Sequence, residues 1–182
     1  DPDPVIASVE PDNLYFGPYD VSCNGASDGS ATVFGGGGTN IISYAWTPTG
    51  GNGATASNLS AGTYTVTVSD DNGCNAIASV SITEPDALEA VISEKSPTAC
   101  SSTCTGEVTV TVEGGTGPYN YLWDDLSSQN TATANSLCAA QYSVTVTDFL
   151  GCQDTVVTLI MGPDNLTVIV DSVVNASCKG DC

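Results

Sequence analysis

Leu59-Ser-Ala-Gly-Thr-Tyr-Thr-Val-Thr-Val68 and Leu137-Cys-Ala-Ala-Gln-Tyr-Ser-Val-Thr-Val146 are one segment written twice, 78 residues apart. In the first, Tyr64, Val66 and Val68 alternate with Thr63, Thr65 and Thr67. A period of two places all the apolar side chains on one face, which marks a strand buried on one side. Threonine, tyrosine and valine also fit a pleated, half-buried surface better than a helix. This segment therefore predicts a sheet, and its recurrence predicts a repeated one.

Working outward, the same period returns. Cys23, Cys100 and Cys178 are separated by 77 and 78 residues, and Trp46 and Trp123 by 77. Cys74 and Cys152, and Pro85 and Pro163, are each 78 apart. Each unit reads in one order. A turn-rich segment follows the leading cysteine (Cys23–Gly29, Cys100–Gly106). A strand comes next (Ser30–Phe34, Glu107–Val112), then a glycine turn (Gly35–Gly38, Gly114–Pro118). An aromatic strand ends in tryptophan (Ile42–Trp46, Tyr119–Trp123). A short strand closes at Leu59 or Leu137, the quoted strand follows, and a hairpin turn (Asp70–Gly73, Asp148–Gly151) leads to a last strand (Cys74–Thr83, Cys152–Met161).

Six or seven short strands per unit predict an all-β chain of tandem immunoglobulin-like (PKD-like) β-sandwich modules. Trp46 and Trp123 fall on the central strand that buries a tryptophan in such folds. Leu59–Tyr64 resembles the tyrosine corner that opens the sixth strand. The expected core is Val33, Tyr44, Trp46, Leu59, Tyr64, Val66, Val68, Val80 and Ile82 with their second-copy partners. The expected boundaries are 1–86, with a lengthened opening segment, 87–163, and 164–182. In the last of these, Leu166–Val170 repeats Leu88–Ile92 and starts a third module. On this reading both ends are cuts through a longer chain.

Composition excludes several function classes. Lys+Arg is 2 against Asp+Glu 21, a net charge of −19, with no histidine. Lys95 and Lys179 cannot displace the counterions of a nucleic acid, so none is expected as a partner. No apolar run approaches the ~18 residues of a membrane span, so no membrane insertion is expected. With no histidine, and the acidic residues lying mostly in turns and linkers, neither a triad nor a paired-carboxylate cleft is legible, and no enzyme is expected. A strongly acidic surface suits a saline exterior and attracts divalent cations.

The eight cysteines include no CxxC knuckle, which argues for disulfides in an oxidising compartment over zinc. The repeat register pairs Cys23 with Cys74, and Cys100 with Cys152. Cys104 and Cys138 stand where the first copy has Ser27 and Ser60. Two positions changing together point to a Cys104–Cys138 bond. Cys178 and Cys182 are left unpaired, their partners expected in the remainder of the third module. Each module is thus expected to be disulfide-stapled. A loop of about 50 residues closed this way contributes roughly 4 kcal/mol in the chain-entropy model. The rival is an intermodule or redox-active bond. A link from Cys23 or Cys74 to another module, or a spectrum dominated by helix, would overturn the picture of two stapled sandwiches in succession with a third beginning.

Cys23-Asn-Gly-Ala-Ser-Asp-Gly-Ser30, Gly114–Tyr121 with Trp123, Ala61–Val68, Asp71-Asn-Gly-Cys74 and Ile82-Thr-Glu-Pro85, in that order, resemble the SprB-type repeat of Bacteroidota surface adhesins. The resemblance implies a very long, type IX-secreted protein at the cell surface that serves gliding, attachment or cell–cell contact. Its implied partners are neighbouring repeats, other copies in a homo-oligomeric filament, and a surface or glycan ligand. An alternative is a glycan-binding or accessory module of a secreted enzyme. The second copy departs from the pattern at Ala140-Gln141, at Asp148–Gly151 and in its extra cysteines.

No cofactor is required by these residues. Calcium is the ligand to test, on oxygen donors at the module ends: Asp1, Asp3, Asp70, Asp71, Glu84, Asp86 and Asp164. Ordinary turn chemistry explains the same residues. In the last strand of the second copy, Val157, Leu159 and Met161 replace Ser79, Ser81 and Thr83. A strand apolar on both faces is usually covered on both, so these three, with Phe149 and Leu150 at the hairpin tip, form a candidate interface. Tyr15, Phe16 and Tyr19 are expected to pack on the first module. Asp154-Thr-Val156 and Asp171-Ser-Val173 resemble O-glycan acceptor triplets of Bacteroidota.

Overall fold

The computed structural model describes residues 3–12, 17–98 and 104–162. Twelve strands and no helix occur among them: β1 (Ile6–Pro11), β2 (Gly29–Gly36), β3 (Ile41–Thr47), β4 (Thr55–Leu59), β5 (Gly62–Asp70), β6 (Asn75–Ile82), β7 (Glu89–Ser96), β8 (Gly106–Glu113), β9 (Asn120–Trp123), β10 (Thr133–Leu137), β11 (Gln141–Thr147) and β12 (Gln153–Leu159). The strands form four antiparallel sheets of three, ordered β1-β2-β4, β3-β5-β6, β10-β8-β7 and β12-β11-β9.

The alternation that predicted strands also selects their faces. Tyr64, Val66 and Val68 of β5 are buried, and Thr63, Thr65 and Thr67 lie between them on the other face. In the register, Trp46, Val66 and Ala78 stand side by side across three strands. These side chains meet Ala31, Val33, Ala56 and Leu59 of the facing sheet, so one core lies between β1-β2-β4 and β3-β5-β6. A second core is built the same way. Trp123, Val144 and Val146 from β9 and β11 pack with Val108, Val110, Ala134 and Leu137 from β8 and β10. Every member of the expected first core is buried except Tyr44, which packs partly buried against it.

Each tryptophan resolves its one polar atom locally. Trp46 Nε1 donates to the Gly53 carbonyl and Trp123 Nε1 to the Thr131 carbonyl, both at 2.9 Å. Tyr64 donates its hydroxyl to the Ser60 carbonyl at 3.1 Å, and Tyr142 to the Cys138 carbonyl at 3.2 Å. Buried polar atoms need such partners to avoid a desolvation penalty.

Strand direction decides where the cysteines go. β5 rises from Gly62 to Asp70, and β6 descends antiparallel to it from Asn75 to Ile82. Gly29, which opens β2, lies opposite Leu59, which closes β4. The start of β2 and the end of β6 therefore share one end of the core. The start of β6 is at the other end.

The glycine turns anchor the entering chain. Gly38 N–H donates to the Asp3 carbonyl and Gly115 N–H to the Asp86 carbonyl, both at 3.0 Å. Gly37 and Gly114 have φ of 68° and 63°, and a Cβ on either would run into the backbone carbonyl of Pro4 or Ala87. Position 114 thus excludes a side chain both by conformation and by contact. Gly114→Ala is expected to cost about 2 kcal/mol or more. Urea unfolding monitored by tryptophan fluorescence checks this, with a lower midpoint at an unchanged slope.

Candidate functional site

The region with the most distinctive chemistry is the junction between the two cores. Its first half is the loop carrying Cys23. Asp20 N–H donates to the Thr83 carbonyl at 3.0 Å, and the Asp20 carboxylate accepts the Thr83 N–H and hydroxyl at 2.8 and 2.7 Å. Asn24 donates its side-chain N–H to the Pro85 carbonyl at 3.1 Å, and Gly25 N–H donates to Glu84 Oε2 at 2.6 Å. Pro85 is itself fully buried. The loop is thereby fastened to the Thr83–Pro85 segment that leaves β6 and leads toward β7.

The second half is the turn that carries Cys152. Asp148 N–H donates to the Cys152 carbonyl at 3.0 Å, and Asp148 Oδ1 accepts the N–H groups of Leu150 and Cys152, each at 2.9 Å. Gly151, at φ 90°, takes the left-handed position that closes this turn. Cys152 is thus held at the head of β12. It is bonded to Cys23, with the two Cα atoms 5.7 Å apart and Cys152 Sγ 3.4 Å from the Ser22 carbonyl oxygen. Asn24, Ala87, Leu88 and Gln153 line the cleft around the bond.

This corrects the expected pairings. Cys23 does not pair with Cys74, because β6 separates them. Cys74 precedes that strand while the Cys23 loop is fastened beyond its end. Eight residues at ~3.3 Å each put the two roughly 25 Å apart, against a limit of about 7 Å between bonded cysteine Cα atoms. Cys74 is free and exposed. Cys152 is taken by Cys23, so it is not the partner of Cys100. The first core therefore has no internal staple among the described residues, and the link from Cys23 to the second core overturns the picture of separately stapled sandwiches. Cys104 is bonded to Cys138 within the second core. Cys100, Cys178 and Cys182 lie outside the described residues.

Asp70 and Asp71, offered as calcium ligands, have other work. Asp70 is buried. Its Oδ2 accepts the Thr39 N–H at 3.0 Å, and its Oδ1 accepts the N–H groups of Asn72 and Cys74 at 3.0 and 2.8 Å. These bonds, that from Thr39 foremost, hold the carboxyl below the usual aspartate range despite its burial. Asp71 accepts from the Asn40 side chain, and Glu84 from Gly25. Among the described residues, no three acidic or cysteine side chains come together as a metal site. Asp3 and Asp86 occupy equivalent places beside Gly38 and Gly115. Asp1 and Asp164 lie outside the described residues.

The candidate interface residues are mostly open. Val157, Leu159 and Met161 are 53, 54 and 62% exposed and Phe149 is 67% exposed, while Leu150 is half-buried. Leu122 and Leu126, not singled out in the sequence, are also exposed. Asp154 accepts the Ala90 N–H at 2.8 Å, a link between β12 and β7, and Thr155 is exposed beside it. Tyr19 is half-buried, and Tyr15, Phe16 and Asp171–Val173 lie outside the described residues. No helix among the described residues is long and apolar enough to cross a membrane.

Residues 92–128, from within β7 through β9, match the family model of the SprB repeat. Over that segment the chain is similar to an SprB repeat. The SprB repeat is a structural unit of surface-associated, adhesin-type regions and not a catalytic one. No curated protein matches the chain. The residues that sequence reasoning missed are those of the junction: Ser22 and Asn24 on one side, Leu88 and Gln153 on the other. They are ordinary polar and apolar residues, and nothing in their spacing marks them.

The capping role of Asp70 has a pH signature. A carboxyl with a lowered folded pKa adds stability above its unfolded value of ~3.9, and that stability is lost as pH falls through the folded value. Asp70→Asn is therefore expected to unfold at lower urea than the parent at pH 7. The difference shrinks as the pH is taken below about 4. Urea midpoints across pH 2–7 check this, and a difference that stays constant would contradict the assignment.

Proposed function

We propose that the chain is a run of tandem immunoglobulin-like modules, and that it serves as a covalently braced spacer in an extracellular, adhesin-type protein of the cell surface. Several features support this reading. The two sheets of each core have the order of the A-B-E and C-F-G strands of that fold. Each central strand buries a tryptophan, and Tyr64 and Tyr142 return their hydroxyls to the backbone four residues upstream, as a tyrosine corner does. The same elements recur at the spacing of the sequence repeat.

The observation that carries the functional reading is the Cys23–Cys152 bond together with the SprB match. A bond across a junction limits the angles that two units can explore. A string of such units keeps its reach under load, which is what a surface spacer requires. The charge of −19 keeps the string soluble and discourages it from collapsing on itself. The exposed row Val157, Leu159 and Met161 is the surface on which neighbouring copies would pack.

Antibodies raised against the chain and visualised with gold in the electron microscope are expected to decorate the outer surface of unpermeabilised cells that make the protein, along thin strings. Label that appears only after permeabilisation would contradict the reading. A glycan array probed with the same chain is expected to stay blank, and specific binding there would replace the spacer role with direct recognition.

A further inference from the structure

Cys74 is a free, exposed thiol in a chain whose equivalent cysteine, Cys152, is bonded. The two are held alike. Asp70 N–H donates to the Cys74 carbonyl at 3.0 Å, as Asp148 N–H does to Cys152, and Cys74 N–H donates back to Asp70 Oδ1 at 2.8 Å. Gly73 and Gly151 both take positive φ, 80° and 90°. Each thus stands at the head of its strand, aimed by the same turn.

The wall around the sulfur is repeated too. Beside Cys152 stand Ala87, Leu88 and Gln153. A Cβ placed on Gly115 would run into Leu88 and the Asp148 carboxylate, and one placed on Gly38 would run into Val5 and the Asp70 carboxylate in the same way. Asp3 and Asp86 accept from Gly38 and Gly115, which makes Pro4 and Val5 the counterparts of Ala87 and Leu88. Asn75 follows Cys74 as Gln153 follows Cys152. The first core therefore carries the counterpart of the receiving surface that the second uses to hold the Cys23 loop.

We propose that Cys74 is the receiving thiol for the leading-cysteine loop of another SprB-type unit, so that the Cys23–Cys152 bond is one link of a repeating scheme. In this scheme the leading cysteine of each unit bonds the hairpin cysteine of the unit that follows. Forming the link joins two thiols into one disulfide. The two electrons and two protons pass to a disulfide oxidant of the glutathione type, which is reduced to two thiols. The inference rests on the junction geometry and on the repeat, and it does not depend on a surface role.

The test adds one unit ahead of the whole chain. Residues 1–85 are fused to residue 3, so that Pro85 runs into Asp3 as it naturally runs into Asp86. The added copy carries Cys74→Ser and a marker at the exposed Ser27, Ser27→Thr, so the peptide that holds its Cys23 differs in mass from the chain's own. After oxidation in a glutathione buffer, non-reducing peptide mapping is expected to find Cys23 of the added copy bonded to Cys74 of the chain, with Cys23–Cys152 retained. Cys74 then falls from full to below a tenth of its alkylation by iodoacetamide. If Cys23–Cys152 forms while Cys74 still alkylates fully, the proposal is overturned. If neither bond forms, the junction on which it rests is wrong as well.

Discussion

Everything in this molecule that goes beyond two small cores between antiparallel sheets depends on one bond between sulfurs at opposite ends of those cores. Cys23, in the loop fastened to the segment that leaves the first core, and Cys152, at the head of β12 in the second, are joined by it with their Cα atoms 5.7 Å apart. With a separation of 129 residues, its closure removes about 5 kcal/mol of chain entropy from the unfolded state in the simple loop model. In the folded state it adds a second connection beside the peptide link Glu84–Leu88. Two connections at one junction resist bending in a way that one does not.

The surrounding chemistry serves the same end. Small cores bury limited apolar area, so local precision matters. Here it comes from buried carboxylates that gather backbone N–H groups. Asp70 and Asp148 each close a hairpin and receive the N–H of a glycine-turn threonine, Thr39 or Thr116, on the other oxygen. One side chain thereby ties two loops at the end of the core where the hairpin cysteine sits. Asp20 does the corresponding work at the opposite end, on Thr83. Of the acidic residues that suggested calcium, Asp70 and Glu84 are used in this way, as acceptors of backbone N–H groups.

Much of the fold was legible in the residues. The alternation of Tyr64, Val66 and Val68 chose both the strand and its buried face. The recurrence of tryptophan, tyrosine and cysteine at one spacing matched the two cores. The cysteine partners were not legible, because a repeat makes every leading cysteine equivalent to every other. A register at fixed period cannot separate a bond inside a unit from one between neighbours. Strand direction can: Cys23 precedes a strand that starts where β6 ends, and Cys74 precedes β6 itself. The Cys104–Cys138 bond was readable because two changes coincided in one copy. The polar residues at the junction, Ser22 and Asn24 among them, left no such trace.

The two lysines offer a direct measurement. With free thiols alkylated and the chain then denatured without reductant, trypsin cuts after Lys95 and Lys179. Cys23 and Cys74 lie before the first cut, while Cys104, Cys138 and Cys152 lie after it. The account predicts that residues 1–95 and 96–179 remain joined in a single species until a reductant is added, with the bridge mapping to Cys23 and Cys152. Separation of the two fragments without reductant would contradict it.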